Sequence, residues 1–216
     1  MQKELTEKGN AISYIGHTIT GLCALLFLIS LGLCVVLFFR QLYYYDIGYL
    51  NIVESSGFSK EEILKNYNSL IDWCMPWVST EFSLPTFPSS NNAIIHFAQV
   101  KTVFNAVLCA GLLGGIALIP LLNKKSNTKS RYYIAGAITL AIPTTIGIYA
   151  AFDFNKAFVL FHKIVFRNDL WIFNYKTDPV IEILPEAFFM HCAIVIIGVV
   201  LVGAVGLFVL GRRRNL

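Results

Sequence analysis

The chain has 216 residues, 56% of them hydrophobic and only 14% charged, with a mean hydropathy of +0.64. Soluble domains carry about 25% charged residues, so the composition excludes an ordinary soluble domain and indicates a polytopic membrane protein. The net charge of +4 does not mark a nucleic-acid partner, because the basic residues gather at the ends of apolar segments, where they set orientation.

In chain order, four segments are long enough to cross roughly 30 Å of hydrocarbon as helices: residues 17–39, 103–122, 132–152 and 188–210. A lipid-exposed backbone must satisfy its own hydrogen bonds, so continuous helices are expected. The first run exceeds the apolar core of a cleaved signal (about 7–15 residues) and ends at Phe38-Phe39-Arg40 without a small-x-small site, which predicts a retained span. In the second, Gly111 and Gly115 form a GxxxG pair suited to close helix approach. In the third, Pro143 predicts a kink, with Thr144 and Thr145 placed to bond freed carbonyls. The fold class is therefore an all-α membrane protein with four transmembrane helices, expected to form a single domain.

Charge sets the expected orientation. Lys124, Lys125, Lys129 and Arg131 fill the connector after the second span, and Arg212-Arg213-Arg214 follow the fourth. Both belong on the cytoplasmic side, and an even number of spans places the N-terminus, with Lys3 and Lys8, there too. Residues 41–102 and 153–187 then face outward as a small extracytoplasmic cap. Within the first of these, Ser59 followed by Glu61 and Glu62 reads as a helix start. Ile63, Tyr67, Leu70, Ile71 and Cys74 continue at helical spacing. The second reads as a loop dense in polar side chains.

The five cysteines (Cys23, Cys34, Cys74, Cys109 and Cys192) show no CxxC spacing and read as small apolar side chains. There is no G-x-S-x-G elbow, no H-E-x-x-H, no phosphate-binding P-loop and no G-x-G-x-x-G. What remains is histidine. His96, His162 and His191 all map to the outer side. Imidazole takes and gives protons near neutral pH, so two histidines meeting above the outer leaflet would form a base and an acid. His191, inside a mostly apolar run, reads instead as an interfacial residue. His96 has Gln99 and Lys101 nearby, and His162 is followed by Arg167, Asn168 and Asp169.

Two runs of residues resemble signatures of a known family. The first is Leu84-Pro85, Phe87-Pro88, Ser90, His96-Phe97 and Val100 to Phe104. The second is Phe161-His162, Phe166, Asn168-Asp169, Trp171, Phe173, Thr177-Asp178, Pro185-Glu186 and Phe188-Phe189. Together, in this order and with four spans, they resemble the lipoprotein intramolecular transacylases of Gram-positive bacteria over essentially the whole chain. Gln99 and Asn174 stand where the family pattern has acidic residues, and Asn91-Asn92 where it has Glu-Gly-like ones.

The resemblance implies a cell-membrane acyltransferase with its active site on the extracytoplasmic side. Its substrate would be a membrane lipoprotein whose N-terminal cysteine carries a diacylglyceryl group. The sn-2 acyl chain would move to the α-amino group of the same cysteine, giving lyso-form lipoprotein without a covalent enzyme intermediate. The expected acid–base pair is His96 and His162, with the two roles unassigned. Arg167, Asn168 and Lys101 are the expected oxyanion donors, in that order. Asp169 or Asp178 is placed to orient a histidine, and Trp171 to line an acyl groove or anchor at the interface. Glu186 is expected to pair with Arg167 or Lys163. No cofactor and no nucleic-acid partner is expected; the partners are diacylglyceryl lipoproteins and membrane lipid.

Two other readings compete. His96, His162, His191 and an aspartate would supply a three- or four-ligand site for a metal-dependent membrane hydrolase. Alternatively, the polar outer segments would hold a protein partner, making the chain an accessory subunit of a membrane complex. A transporter fits poorly, because the spans hold almost no ionisable residue at mid-membrane depth.

Overall fold

The computed structural model describes residues 2–123 and 129–213, with side chains described from 13 onward. Lys124, Lys125 and Arg214, on which the expected orientation partly rests, lie outside the described residues, as do the side chains of Lys3 and Lys8. The described chain is helical, without strands: α1 (Gln2–Phe38), α2 (Gln41–Tyr49), α3 (Ile52–Ser56), α4 (Lys60–Trp73), α5 (Asn91–Asn123), α6 (Lys129–Phe152), α7 (Phe154–Val165), a 3-10 turn (Pro179–Ile183) and α8 (Glu186–Arg213). Four stretches are long and apolar enough to cross a membrane: Ser13–Phe38, Asn91–Asn123, Lys129–Phe152 and Glu186–Arg213.

The chain divides into two compact units. The first comprises Met1–Cys34, Val107–Ile148 and Val195–Leu216. Its helices meet at small residues. A Cβ built at Gly114 would lie 2.8 Å from the Cys23 carbonyl oxygen, so only glycine permits this approach of α5 to α1. Thr139, fully buried, donates its hydroxyl to the Ala135 carbonyl at 2.8 Å. α6 continues through Pro143, and Thr145 donates to the Ala141 carbonyl.

The second unit comprises Val35–Ala106 and Tyr149–Ile194. Its core gathers Ile47, Ile63, Phe82, Phe87, Val180 and Ile183 around a stacked pair, Tyr43 and Tyr67, with ring centroids 3.7 Å apart. The Tyr43 hydroxyl donates to the Ile183 carbonyl at 2.6 Å. Burial pushes both phenols well above their ordinary value, so they act here as neutral packing groups. α4 begins where its sequence predicts: the Ser59 hydroxyl accepts from the Glu62 amide. Asn66 on α4 binds Thr86 through both ends of its amide, fixing the proline-rich segment that leads to α5.

Two elements of this unit differ from the sequence reading in extent. α5 starts at Asn91, so His96 sits on a helix and not in a connector. The segment after α6 is not all loop. Asp153 accepts from the Lys156 amide and caps α7, and its carboxyl is held below the ordinary range mainly by that bond. His162 falls in the last turn of α7.

Candidate active site

All the residues that follow belong to the second unit. The start of α5 is anchored by a carboxylate. Ser90 caps the helix through its hydroxyl, which accepts from the Ala93 amide. Its own amide donates to Asp178 Oδ1 at 2.6 Å, while Thr177 donates to Asp178 Oδ2 at 2.7 Å. Asp178 is only 2% exposed. Its oxygens are engaged with the backbone and a hydroxyl, so it positions the helix that bears His96 and does not itself orient an imidazole.

His96 and His162 lie with ring centroids 6.0 Å apart. Both are nearly enclosed, at 5% and 8% exposed. The Phe166 ring sits against both imidazoles, 4.7 Å from His96 and 5.4 Å from His162. Phe173 packs edge-on to His96, and Phe158 and Trp171 flank His162 at 4.1 and 4.6 Å. The two rings therefore share a largely enclosed aromatic chamber.

The tautomer of His162 follows from its partner. Nδ1 lies 2.7 Å from the Phe158 carbonyl oxygen, one turn back on α7. A carbonyl can only accept, so Nδ1 carries the hydrogen and Nε2 holds the free lone pair. Burial lowers the pKa of His162 below the ordinary imidazole value, opposed by the Phe158 bond. At neutral pH this imidazole is a neutral base. Nδ1 of His96 is buried and has no hydrogen-bond partner among the described residues.

Asn168 is the hub of the chamber. Its Nδ2 donates to the Phe166 carbonyl at 2.9 Å and to Gln99 Oε1 at 3.2 Å. Its Oδ1 accepts from the Leu170 amide, and its carbonyl accepts from Trp171 Nε1. The side chain is occupied in tying the turn after α7 to α5, one helical turn from His96, so it is not placed as an oxyanion donor. Lys101 is also engaged elsewhere. Its ammonium donates to the Trp73 and Val78 carbonyls at 2.7 and 2.5 Å and lies 4.4 Å from the Trp73 ring centroid. It closes the end of α4. Each hydrogen bond to a charged group contributes about 1.5–3 kcal/mol. Lys101→Met is therefore expected to lower the unfolding midpoint of the detergent-solubilised protein by several degrees, read by a thermal shift.

Arg167 is exposed and bonds only weakly to its own turn, the Ile164 carbonyl at 3.4 Å. Its φ is +57°, the left-handed conformation just past a helix end that favours glycine. Asp169 is exposed, with its backbone carbonyl accepting from the Ile172 amide. Glu186 accepts from Asn155 at 2.7 Å and not from Arg167 or Lys163.

The sequence reading missed one pair. Asp46 on α2 is fully buried, and both its oxygens lie 2.9 Å from Nδ1 of His191 on α8. A lone acid directly after the aromatic run Tyr43-Tyr44-Tyr45 was the available signal, because a buried carboxylate needs a donor. Among the described residues no three His, Cys, Asp or Glu side chains converge as a metal site would require.

The fold and the site define a helical membrane protein that encloses two histidines among aromatic rings. Comparison with known proteins narrows this. A family model, lipoprotein intramolecular transacylase Lit, matches residues 18–189. The in meso structure of the membrane-integral lipoprotein intramolecular transacylase Lit from Bacillus cereus is similar at 31% identity, covering 94% of this chain and 96% of that one, with a TM-score of 0.80. Two variants of that enzyme, with one histidine replaced by arginine or by alanine, are similar at 30% and 32% identity. They cover 99% and 97% of this chain and 96% of each of theirs, with TM-scores of 0.78 and 0.77. No curated protein sequence matches. The chain belongs to the lipoprotein intramolecular transacylase family, and it is an acyltransferase of lipoprotein processing.

Proposed function

We propose that this enzyme moves the sn-2 acyl chain of a diacylglyceryl-cysteine lipoprotein onto the α-amino group of the same cysteine, with His162 as base and His96 as acid. The observation that carries the reading is the enclosed pair, with its ring centroids 6.0 Å apart and His162 Nδ1 tied to the Phe158 carbonyl.

The chemistry balances without an enzyme nucleophile. The amine, whose pKa lies near 8 in the free state, gives a proton to Nε2 of His162 and attacks the ester carbonyl. The C–N bond forms as the tetrahedral oxyanion develops. The proton taken by His162 passes across the enclosed pair to His96, and as the glycerol C–O bond breaks His96 gives it to the departing sn-2 oxygen. One ester and one amine become one amide and one hydroxyl, and the pair as a unit gains one proton and gives one back. Amine and ester already share a molecule, so holding them in register supplies much of the rate.

Arg167 is the remaining candidate for the oxyanion, since Asn168 and Lys101 are engaged elsewhere. Its left-handed backbone supports this role, because strain of that kind persists where function requires the side chain. Arg167→Gly relieves the backbone, so thermal stability is expected to hold or rise slightly. The turnover number is expected to fall by about 10². Unchanged turnover would reduce Arg167 to a helix end.

The basic ends of the spans support cytoplasmic termini, with residues 41–102 and 153–187 as the extracytoplasmic loops of a single membrane domain. The test of the reaction uses purified enzyme in proteoliposomes and a diacylglyceryl lipopeptide carrying acyl chains of different mass at sn-1 and sn-2. The expected product bears the sn-2 chain on nitrogen and retains the sn-1 chain. With two such peptides of different sequence mixed, no acyl chain should cross between them. Crossover, or transfer from sn-1, would overturn the reading.

A further inference from the structure

Beside the histidine chamber, α5 and the end of α7 enclose a groove of about 480 Å³. Ile94, Ile95, Ala98, Thr102 and Val103 form its α5 wall, and Val165 and Phe166 its α7 wall, with Gln99 between them. The α5 residues recur at i, i+4 and i+8, so they make one continuous strip of a helix face. At 1.5 Å per residue the strip from Ile94 to Val103 is about 14 Å long. Apart from Gln99 and the Thr102 hydroxyl, the lining is aliphatic or aromatic. That hydroxyl is turned inward, donating to the Ala98 carbonyl at 2.9 Å. The amide oxygen of Gln99 is likewise occupied by Asn168. The groove therefore offers an elongated apolar surface with little to attract water or a headgroup.

Phe166 joins this groove to the reacting groups, since it lines the groove and stands edge-on to His96 at 4.7 Å. A chain lying along α5 would bring its carboxyl end to the aromatic chamber.

We propose that this groove holds the acyl chain that is transferred, and that Ala98 and Thr102, the small residues of its floor, set how long a chain is accepted. The proposal rests on the acid–base reading of the same site and adds to it the seat of the sn-2 chain. The sn-1 chain, which stays on glycerol, lies elsewhere. Both floor residues are exposed, so larger side chains can be introduced there without entering a packed core.

The test compares wild type with Ala98→Phe and Thr102→Trp in proteoliposomes. The lipopeptides carry sn-2 chains of short or long length with a constant sn-1 chain, and the converse set varies only sn-1. In both variants the ratio of kcat/KM for long over short sn-2 chains is expected to fall at least tenfold. The ratio for sn-1 chains should stay within twofold, and Leu112→Phe, an exposed position outside the groove, should alter neither. An unchanged sn-2 ratio, a uniform loss for all lengths, or selectivity that follows sn-1 overturns the groove assignment. Two variants at different depths keep the result readable if one fails to fold. Failure of the acid–base reading would look different: histidine variants would turn over every chain length normally, whatever the groove variants do.

Discussion

His162→Gln is expected to lower the turnover number by about 10²–10⁴, the usual contribution of a positioned acid or base. Glutamine fills similar space but offers no base, so loss with an unchanged unfolding midpoint separates chemistry from folding. The pH profile adds a second readout. Burial sets the pKa of His162 below the ordinary imidazole value. Nε2 therefore remains free when the pH falls to that value, and the acid limb of kcat/KM, which reports the free enzyme, lies below it. The sign for folding is the same. In the unfolded chain His162 takes its proton first, so stability from this group is present at neutral pH and is lost as the pH falls through the lowered folded value. Phe158→Ala should leave the tautomer intact, because the partner is the backbone carbonyl, but it removes one wall of the chamber. An acid limb at or above the ordinary imidazole value would contradict a desolvated base.

The largest effect on stability is expected away from the reacting groups. Asp46→Ala or His191→Ala removes one member of a pair whose carboxylate is fully buried and whose imidazole is half-buried, with atoms 2.9 Å apart. His191→Ala is expected to cost the more, up to about 3–5 kcal/mol, because it leaves the fully buried Asp46 carboxylate without its donor, whereas Asp46→Ala leaves an imidazole that can reach solvent. The double substitution Asp46→Leu with His191→Leu removes both polar groups and is expected to recover most of that loss. A double-mutant cycle in detergent, followed by thermal or denaturant unfolding, measures the coupling. Single variants within about 0.5 kcal/mol of wild type, as at an ordinary surface site, would show that the pair does not hold α2 to α8. The pair also stands behind the site. Phe188, three residues before His191, packs on Tyr43 and Tyr67, and its neighbour Phe189 packs on Phe158. A loosened pair should thus broaden the chamber before the protein unfolds.

The helical architecture was legible because four apolar runs leave a membrane chain few alternatives. The starts of α5 and α7 were not. Apolar windows stop where His96, Gln99 and Lys101 interrupt them, whereas a helix needs only a cap and continuous backbone bonds, which Ser90 and Asp153 provide. The two histidines were visible as residue types in polar company. Their approach depends on tertiary contacts among Phe166, Asn168 and Gln99 that no local pattern encodes. The orienting partner of His162 could not be found as a side chain, because it is the Phe158 carbonyl. The acids that drew attention, Asp169 and Asp178, have other positions: one is exposed, and the other holds the start of α5. Lys101 drew attention as a cation near His96, yet the carbonyls it satisfies lie more than twenty residues earlier in the chain. Asp46 and His191 are 145 residues apart, and nothing in either neighbourhood names the other.

The central claim is that His96 and His162 together carry the proton transfers of the acyl shift. It is tested most directly by the N-terminal mass of a lipoprotein from a host lacking other N-acylation activity and expressing wild type, His96→Ala or His162→Ala. Wild type should yield the lyso form, N-acylated and carrying one glycerol-linked chain. Either alanine variant, present in the membrane at wild-type level, should leave the diacylglyceryl form with a free amine. Lyso-form product at the normal level from either variant would contradict the account.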